Sequence, residues 1–352
     1  MTRFISHVHY LRGLAILFVV GVHARGGVLD WNSHPETLRI VATILDSEEG
    51  NGTMMFVFIG GFLFQYLNRN SFDYKKYLNT KFRYIILPYL IFSIPIILFR
   101  IHSNYYQPGL PDDFMNYNVL FQFFYYLFVG SHMAPFWFIS AIILYYIASP
   151  LFHYIDKPFF YKYIFPVVFI AGLFTYRPDH NANPFLAFVH FIPVYLTGMW
   201  ISRYHEQFFS VAPRYLVILI PAYLGICYLE VNDYLQPDIT FEQVLFDGVL
   251  VFNLYYLRAI SLCVICVTIF YIFRNRRFLV FDVLGHYSFG IFFIHFIVIM
   301  LCRNLLSSMH IHVDFSLITF LLYFTLVVTL STLGVYAVKR IAGSYSRNLI
   351  GS

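Results

Sequence analysis

The sequence predicts an all-α, polytopic integral membrane protein, and three observations carry that prediction. Of 352 residues, 59% are hydrophobic and 12% are charged, whereas a water-soluble domain carries about 25% charged residues. Mean hydropathy is +0.67. Apolar runs of about 20 residues, the length that crosses a bilayer, recur along the whole chain. Aromatic residues reach 21%, which suits rings that fill helix contacts and line the headgroup zones.

Ten runs read as spans, in the order 8–28, 53–69, 82–101, 135–155, 160–176, 185–203, 213–230, 250–273, 283–306 and 315–340. The first is followed by Arg25 rather than a small-residue cleavage site, so it is expected to remain as an anchor. Pro88 and Pro95 in the third, Pro166 in the fifth, Pro193 in the sixth and Pro221 in the seventh interrupt otherwise continuous apolar helices. FQFFYYLFVG at 121–130 is too short to span and is read as an interfacial or packed helix. Cys227, Cys263, Cys266 and Cys302 all fall within spans. CVIC at 263–266 has the spacing of a metal or redox pair, but no second pair completes it, so these cysteines are read as small buried hydrophobes.

Loop charge orients the bundle. With the N-terminus in the cytoplasm, the inner segments hold 16 of the 23 Lys and Arg residues, the outer segments hold five, and Arg12 and Arg258 lie within spans. That asymmetry is the positive-inside pattern, so an N-in, C-in topology is expected. The net charge of +5 then needs no nucleic-acid partner. No loop is long enough for an independent water-soluble domain, and residues 1–352 are read as a single transmembrane domain.

The first span, YLRGLAILFVVGVHARGG at 10–27, carries Arg12 and His23. Eleven residues at 100° each make three turns and about 20°, so both side chains leave the same helix face, roughly 16 Å apart along the axis. Ionisable groups at such depth face protein or water and are functional candidates. The competing readings are snorkelling of Arg12 to inner headgroups and a neutral His23 hydrogen-bonded between helices. Together on one face they suggest a polar conduit, and His is the side chain best matched to general-base work near neutral pH.

Five segments in order resemble the membrane-bound acyltransferase family 3, which O-acylates surface polysaccharides. They are the R-x10-H pair Arg12 and His23, FVFIGGFLF at 56–64, KFRYIILPYL at 81–90, FWFISAIILYYIASPLF at 136–152 and LGHYSFGIFFIHFIVI at 284–299. Two departures stand out: the second-helix Ser of the family is Gly60 here, and the third-helix R-x-x-R is not intact, leaving Lys81 and Arg83 as the nearest basic residues. The resemblance implies transfer of an acetyl group from acetyl-CoA to a hydroxyl of an exopolysaccharide or a lipid-linked glycan precursor. His23 would be the general base, Arg12 the donor-side cation, and Lys81 and Arg83 the donor-binding residues. It also implies residence in a bacterial inner membrane, beside polysaccharide-synthesis machinery, with no permanently bound cofactor.

Six further residues are candidates for the acceptor or the transition state. Arg258 lies deep in the eighth span, where the competing reading is an interhelical ion pair. Trp137 is placed to stack on a sugar or to anchor at the interface, and His295 matches the late-helix His of the family. Glu48 and Glu49, in DSEEGNG, and Arg25 belong to the outer mouth, where an ordinary solvated loop is the competing reading.

Other chemistries lack their signatures. The chain has no Walker A loop, no G-x-G-x-x-G, no H-E-x-x-H and no paired Cys/His zinc pattern, so no metal site is expected. The rival reading is an exporter or permease for a sugar, glycan or small anion, for which buried charges and proline-broken helices are equally apt. No internal repeat between the halves supports it.

Overall fold

The computed structural model describes residues 5–26, 29–30, 34–45, 50–104, 109–178, 181–232, 234–235, 243, 248, 251–311, 313–314 and 316–352. The described part is nearly all helix; its sole sheet is a two-residue parallel bridge, β1 (Leu29–Asp30) with β2 (Val313–Asp314).

α1 (Ser6–Arg25) is the axis of the bundle. Leu11, Ala15, Ile16, Val20 and Ala24 are fully buried on several sides of it, as expected of a helix that is apolar all round. After α2 (Pro35–Leu45), the chain enters α3 (Asn51–Asn68) through Gly50, whose φ of +69° lies in the left-handed region that glycine adopts without strain. Asp73 caps α4 (Tyr74–Lys81) by accepting from the Lys76 amide. A single π-turn, Phe82–Ile86, joins it to α5 (Leu87–His102). The short run at 121–130 forms α6 (Val119–Val129).

α7 (Trp137–Ile147) and α8 (Ser149–Ile155) meet at a bend of 54°. The next run folds as a π-turn and α9 (Phe165–Gly172). Then come α10 (Pro184–Arg203), α11 (His205–Val231), α12 (Leu254–Ile272), α13 (Leu279–Ser308), α14 (Leu317–Ala342) and the short α15 (Ser346–Ile350).

Among the described residues, seven helical stretches are long and apolar enough to cross a membrane, or eight if the bent α7–α8 pair is one span. Two of the ten expected spans are not among them. The run 53–69 is α3, whose Asn51, Gln65 and Asn68 lower its hydropathy; it is enclosed between α1 and α10 and needs little apolar surface facing lipid. The run 160–176 is helical only over Phe160–Gly172, roughly 20 Å of axis. α11 shows the opposite extreme, with Val217 74% exposed and Ile218, Leu224 and Tyr228 also exposed. An apolar face of that extent is stable against lipid and not against water.

Two close crossings set the core. Gly61 of α3 and Gly198 of α10 face each other, and a Cβ on either would run into backbone, Tyr195 O or Phe58 O. Gly13 of α1 and Gly285 of α13 do the same, against Phe281 O and His9 O. Because these crossings admit no side chain, the helices approach backbone to backbone. α1 and α13 run parallel: Arg12 meets Gly285 and His23 meets Phe296, each pair separated by the same 273 residues.

Candidate active site

α13 lies along the face of α1 that carries Arg12 and His23. The Arg12 guanidinium donates through Nε to Gly285 O at 2.9 Å, and its terminal nitrogen donates to the same carbonyl. Such charge-assisted bonds are worth about 1.5–3 kcal/mol each and hold the side chain in one place. One edge of the guanidinium is thereby fixed, and the side chain also lines a cavity bordered by α3, α4 and α7.

That cavity encloses about 630 Å³, within the roughly 300–1,000 Å³ typical of small-molecule sites. It runs along α3 from Asn68 to Phe56, about 18 Å of helix. The turn after Asn68 and α4 give it a polar side, with Ser71, Asp73, Lys76, Thr80 and Lys81. Arg12 lines it from α1, whose His7 packs on Phe62 and whose Val19 packs on Gly52, so it stands abreast of the middle of α3. Towards Phe56 its walls are apolar: Ile59, Leu63, Phe138 and Ile142. The Lys81 ammonium lies 5.1 Å from the Tyr77 ring centre and 4.9 Å from that of Tyr146, a cation–π cradle. Gly60 lines the same cavity, and a Cβ there would meet the Tyr195 ring at an ordinary 3.6 Å.

A second, smaller cavity of about 70 Å³ shares two walls with the first, since Phe56 and Phe138 line both. Their rings are 6.1 Å apart. His23 faces this chamber with Thr53, Trp137, Arg177 and Phe292. The Arg177 guanidinium lies 4.7 Å over the Trp137 ring, and its Nε donates to Asn181 Oδ1 at 2.6 Å. Behind His23 stands His295, fully buried, with ring centres 5.3 Å apart. His295 Nδ1 lies 2.9 Å from Ile291 O; a carbonyl only accepts, so that nitrogen carries the hydrogen. His295 Nε2 is therefore left with its lone pair, and it is buried without a hydrogen-bond partner among the described residues.

The structure thus gathers Arg12 and Lys81 at one cavity, and His23 and Trp137 at the other, with His295 behind. Three other predicted positions lie elsewhere. Arg83 is exposed and does not line the large cavity; it is two residues from Lys81, and residues so spaced point to different sides of a helix. Arg25 is half-buried and does not line the small cavity, being offset by two residues from His23. Arg258, 0% exposed, pairs with Glu230 at 3.2 Å and donates to Thr43 O, an interhelical ion pair, and it lines neither of these two cavities. Glu48 and Glu49 lie outside the described residues.

The sequence reading singled out neither Lys76 nor Arg177. In the sequence both are charges of segments that flank the apolar runs. Arg177 follows a predicted span immediately, and nothing local marks it as aimed at Trp137, 40 positions away in the chain.

A family model described as an acyltransferase domain, that of acyltransferase family 3, matches residues 5–340, essentially the whole chain. The chain belongs to acyltransferase family 3. No curated protein and no solved structure matches it. In this multi-pass membrane acyltransferase, the two cavities share Phe56 and Phe138 as walls, one holding Arg12, Lys76 and Lys81 and the other His23.

Proposed function

We propose that this acyltransferase moves an acetyl group from acetyl-CoA to a hydroxyl of a cell-surface or biofilm polysaccharide, or of its lipid-linked precursor. The observation that carries this reading is the meeting of the two cavities at Phe56 and Phe138, with cations at the far rim of one and His23 in the other. The phosphates of CoA would sit by Lys76 and Lys81, where cations compensate a polyanion, with Arg12 further along the cavity towards Phe56. The pantetheine arm would lie along the apolar wall between Ile59 and Ile142, with its thioester near Phe56. The acceptor hydroxyl would come from the opposite side, past Trp137 and Arg177.

The chemistry follows from those positions. His23 takes the proton as the acceptor oxygen attacks the thioester carbonyl; the tetrahedral intermediate collapses with cleavage of the C–S bond. The departing thiolate then takes the proton back from the imidazolium, leaving an ester and free CoA thiol. His295 Nε2 is the natural acceptor for the other ring N–H of His23. It would hold that ring in one tautomer and stabilise the imidazolium as it forms.

Loop charge supports both termini in the cytoplasm; ten crossings and a bacterial inner membrane belong to the same proposal and rest on the apolar runs and the motif resemblance.

The test is release of CoA thiol from acetyl-CoA by protein in lipid, with a host polysaccharide extract as acceptor. Acceptor-dependent release that His23→Ala abolishes, with donor binding intact, would support the reading. Silence with extract and no acetyl-CoA binding would overturn it in favour of export.

A further inference from the structure

One cluster of ligating side chains lies outside both cavities. At the N-terminal end of α1, His9 is buried against α13, where its Nε2 sits 3.2 Å from Asp282 Oδ1. His286, one turn after Asp282 on α13, places Nδ1 3.7 Å from the same oxygen. The two imidazole rings are 4.7 Å apart, and the three ligating atoms all lie within 4.8 Å of one another. Donors held about 2.1 Å from a tetrahedral zinc ion are about 3.4 Å apart, so two of the three edges nearly match. His286 is 59% exposed, which leaves its ring free to turn and close the third.

The scaffold is stiff where a site needs it. His9 rests on Gly285, where a Cβ would come 2.9 Å from its Nε2, so glycine makes room for the ring at the crossing. Asp282 and His286 are spaced i, i+4 on one helix, the spacing that aims two ligands at one ion. The other carboxylate oxygen, Oδ2, is held by Arg277 at 3.1 Å, which turns Oδ1 towards the imidazoles. Outer-shell bonds of this kind orient metal ligands.

We propose that His9, Asp282 and His286 form a site for a divalent transition metal of the zinc class, which staples α1 to α13. Two imidazoles and one carboxylate suit zinc, cobalt, nickel or copper, and not calcium or magnesium, which favour oxygen ligands throughout. In the metal-free protein the two nitrogens reach Asp282 O, at 3.0 and 3.1 Å. Each imidazole ligates through its lone pair once its hydrogen moves to the other ring nitrogen. The fourth position faces solvent beside His286. The staple sits one helical turn from Arg12, whose anchor Gly285 lies between Asp282 and His286, so the ion would rigidify the crossing that positions that guanidinium.

The sequence does not disclose this site, because His9 is 273 residues from Asp282. The proposal is independent of the transfer reaction.

The experiment uses the full chain in detergent or nanodiscs, purified without a histidine tag, stripped with EDTA and titrated with Zn²⁺ and with Co²⁺. The expected result is one ion per chain and visible Co²⁺ absorption of tetrahedral intensity. Zn²⁺ should also raise the melting temperature. His286→Ala and Asp282→Asn should each weaken binding at least about 10-fold and remove the thermal shift. Because His286 is exposed, its variant tests binding without disturbing the core. Less than a tenth of an ion per chain, or full binding retained in His286→Ala, would overturn the proposal, the latter placing the ion on other histidines.

Discussion

The imidazole of His23 lies 5.3 Å from that of His295, centre to centre and tilted by 37°, and it is the nearer of the two to the chamber shared with Trp137 and Arg177. His295 is locked from behind by Ile291 O. If His295 positions His23, His295→Ala should lower kcat by about 10–100-fold and leave KM for acetyl-CoA unchanged, while His23→Ala should cost about 10²–10⁴-fold. A purely structural His295 would instead change the folded fraction without that split between kcat and KM.

Lys81 and Arg83 are adjacent in the motif and separated in space. Lys81→Ala should raise KM for acetyl-CoA about 10-fold, through loss of one phosphate-directed charge at the rim, whereas Arg83→Ala should stay within about twofold of the native chain. Steady-state kinetics with varied donor decides this. Equal effects from the two would mean that the donor extends over the exposed side of the π-turn.

Arg258 makes a different kind of contribution. Removing one partner of a buried pair leaves a charge uncompensated, so Arg258→Ala should destabilise the protein by about 3–5 kcal/mol. Thermal denaturation in detergent should show the loss, while activity per folded molecule is retained. Normal stability with abolished turnover would instead assign Arg258 to the reaction.

Gly60 and Gly61 offer a paired comparison on adjacent positions. Gly60→Ser should fold normally and place a hydroxyl on the cavity wall, because the added Cβ meets only ordinary contacts, the Tyr195 ring at 3.6 Å and Ile142 Cδ1 at 4.0 Å. Gly61→Ala forces a Cβ into Tyr195 O and should cost about 1–3 kcal/mol or more. The yield of monodisperse protein and its melting temperature distinguish them.

His132, in the loop between α6 and α7, provides a pH test. Burial, partly offset by its bond to Tyr126 O and reinforced by Arg100, pushes its pKa down from 6.5 to about 4. The unfolded chain takes up a proton as pH falls through 6.5, whereas the folded one resists until about 4. Stability from this group is therefore complete above 6.5 and lost as pH falls to about 4, by roughly 3 kcal/mol in all. His132→Gln should flatten that part of the stability curve, as read by denaturation at stepped pH.

Much of this protein was legible in one dimension. Apolar runs give helices, because an unpaired backbone is costly in lipid, and the spacing of Arg12 and His23 places both on the face that α13 covers. The motif order also led to the family that the match over 5–340 establishes. Span counting was less secure: α3 is shielded by neighbours and can carry Asn51, Gln65 and Asn68, while α9 and its π-turn are short. Hydropathy measures composition and not enclosure.

The sequence by itself determined the helical class, the membrane setting and the two-residue signature on α1, since these depend on local composition and on a fixed helical period. Only the tertiary structure decided that Lys81 and not Arg83 lines the cavity, that Arg258 pairs with Glu230, that Arg177 covers Trp137, and that His9 meets Asp282 and His286. Each of those outcomes depends on which helix faces meet, and the meeting is set by backbone-to-backbone crossings at Gly13–Gly285 and Gly61–Gly198. A glycine can be read from the sequence, but the partner it admits so closely is known only once the helices have packed.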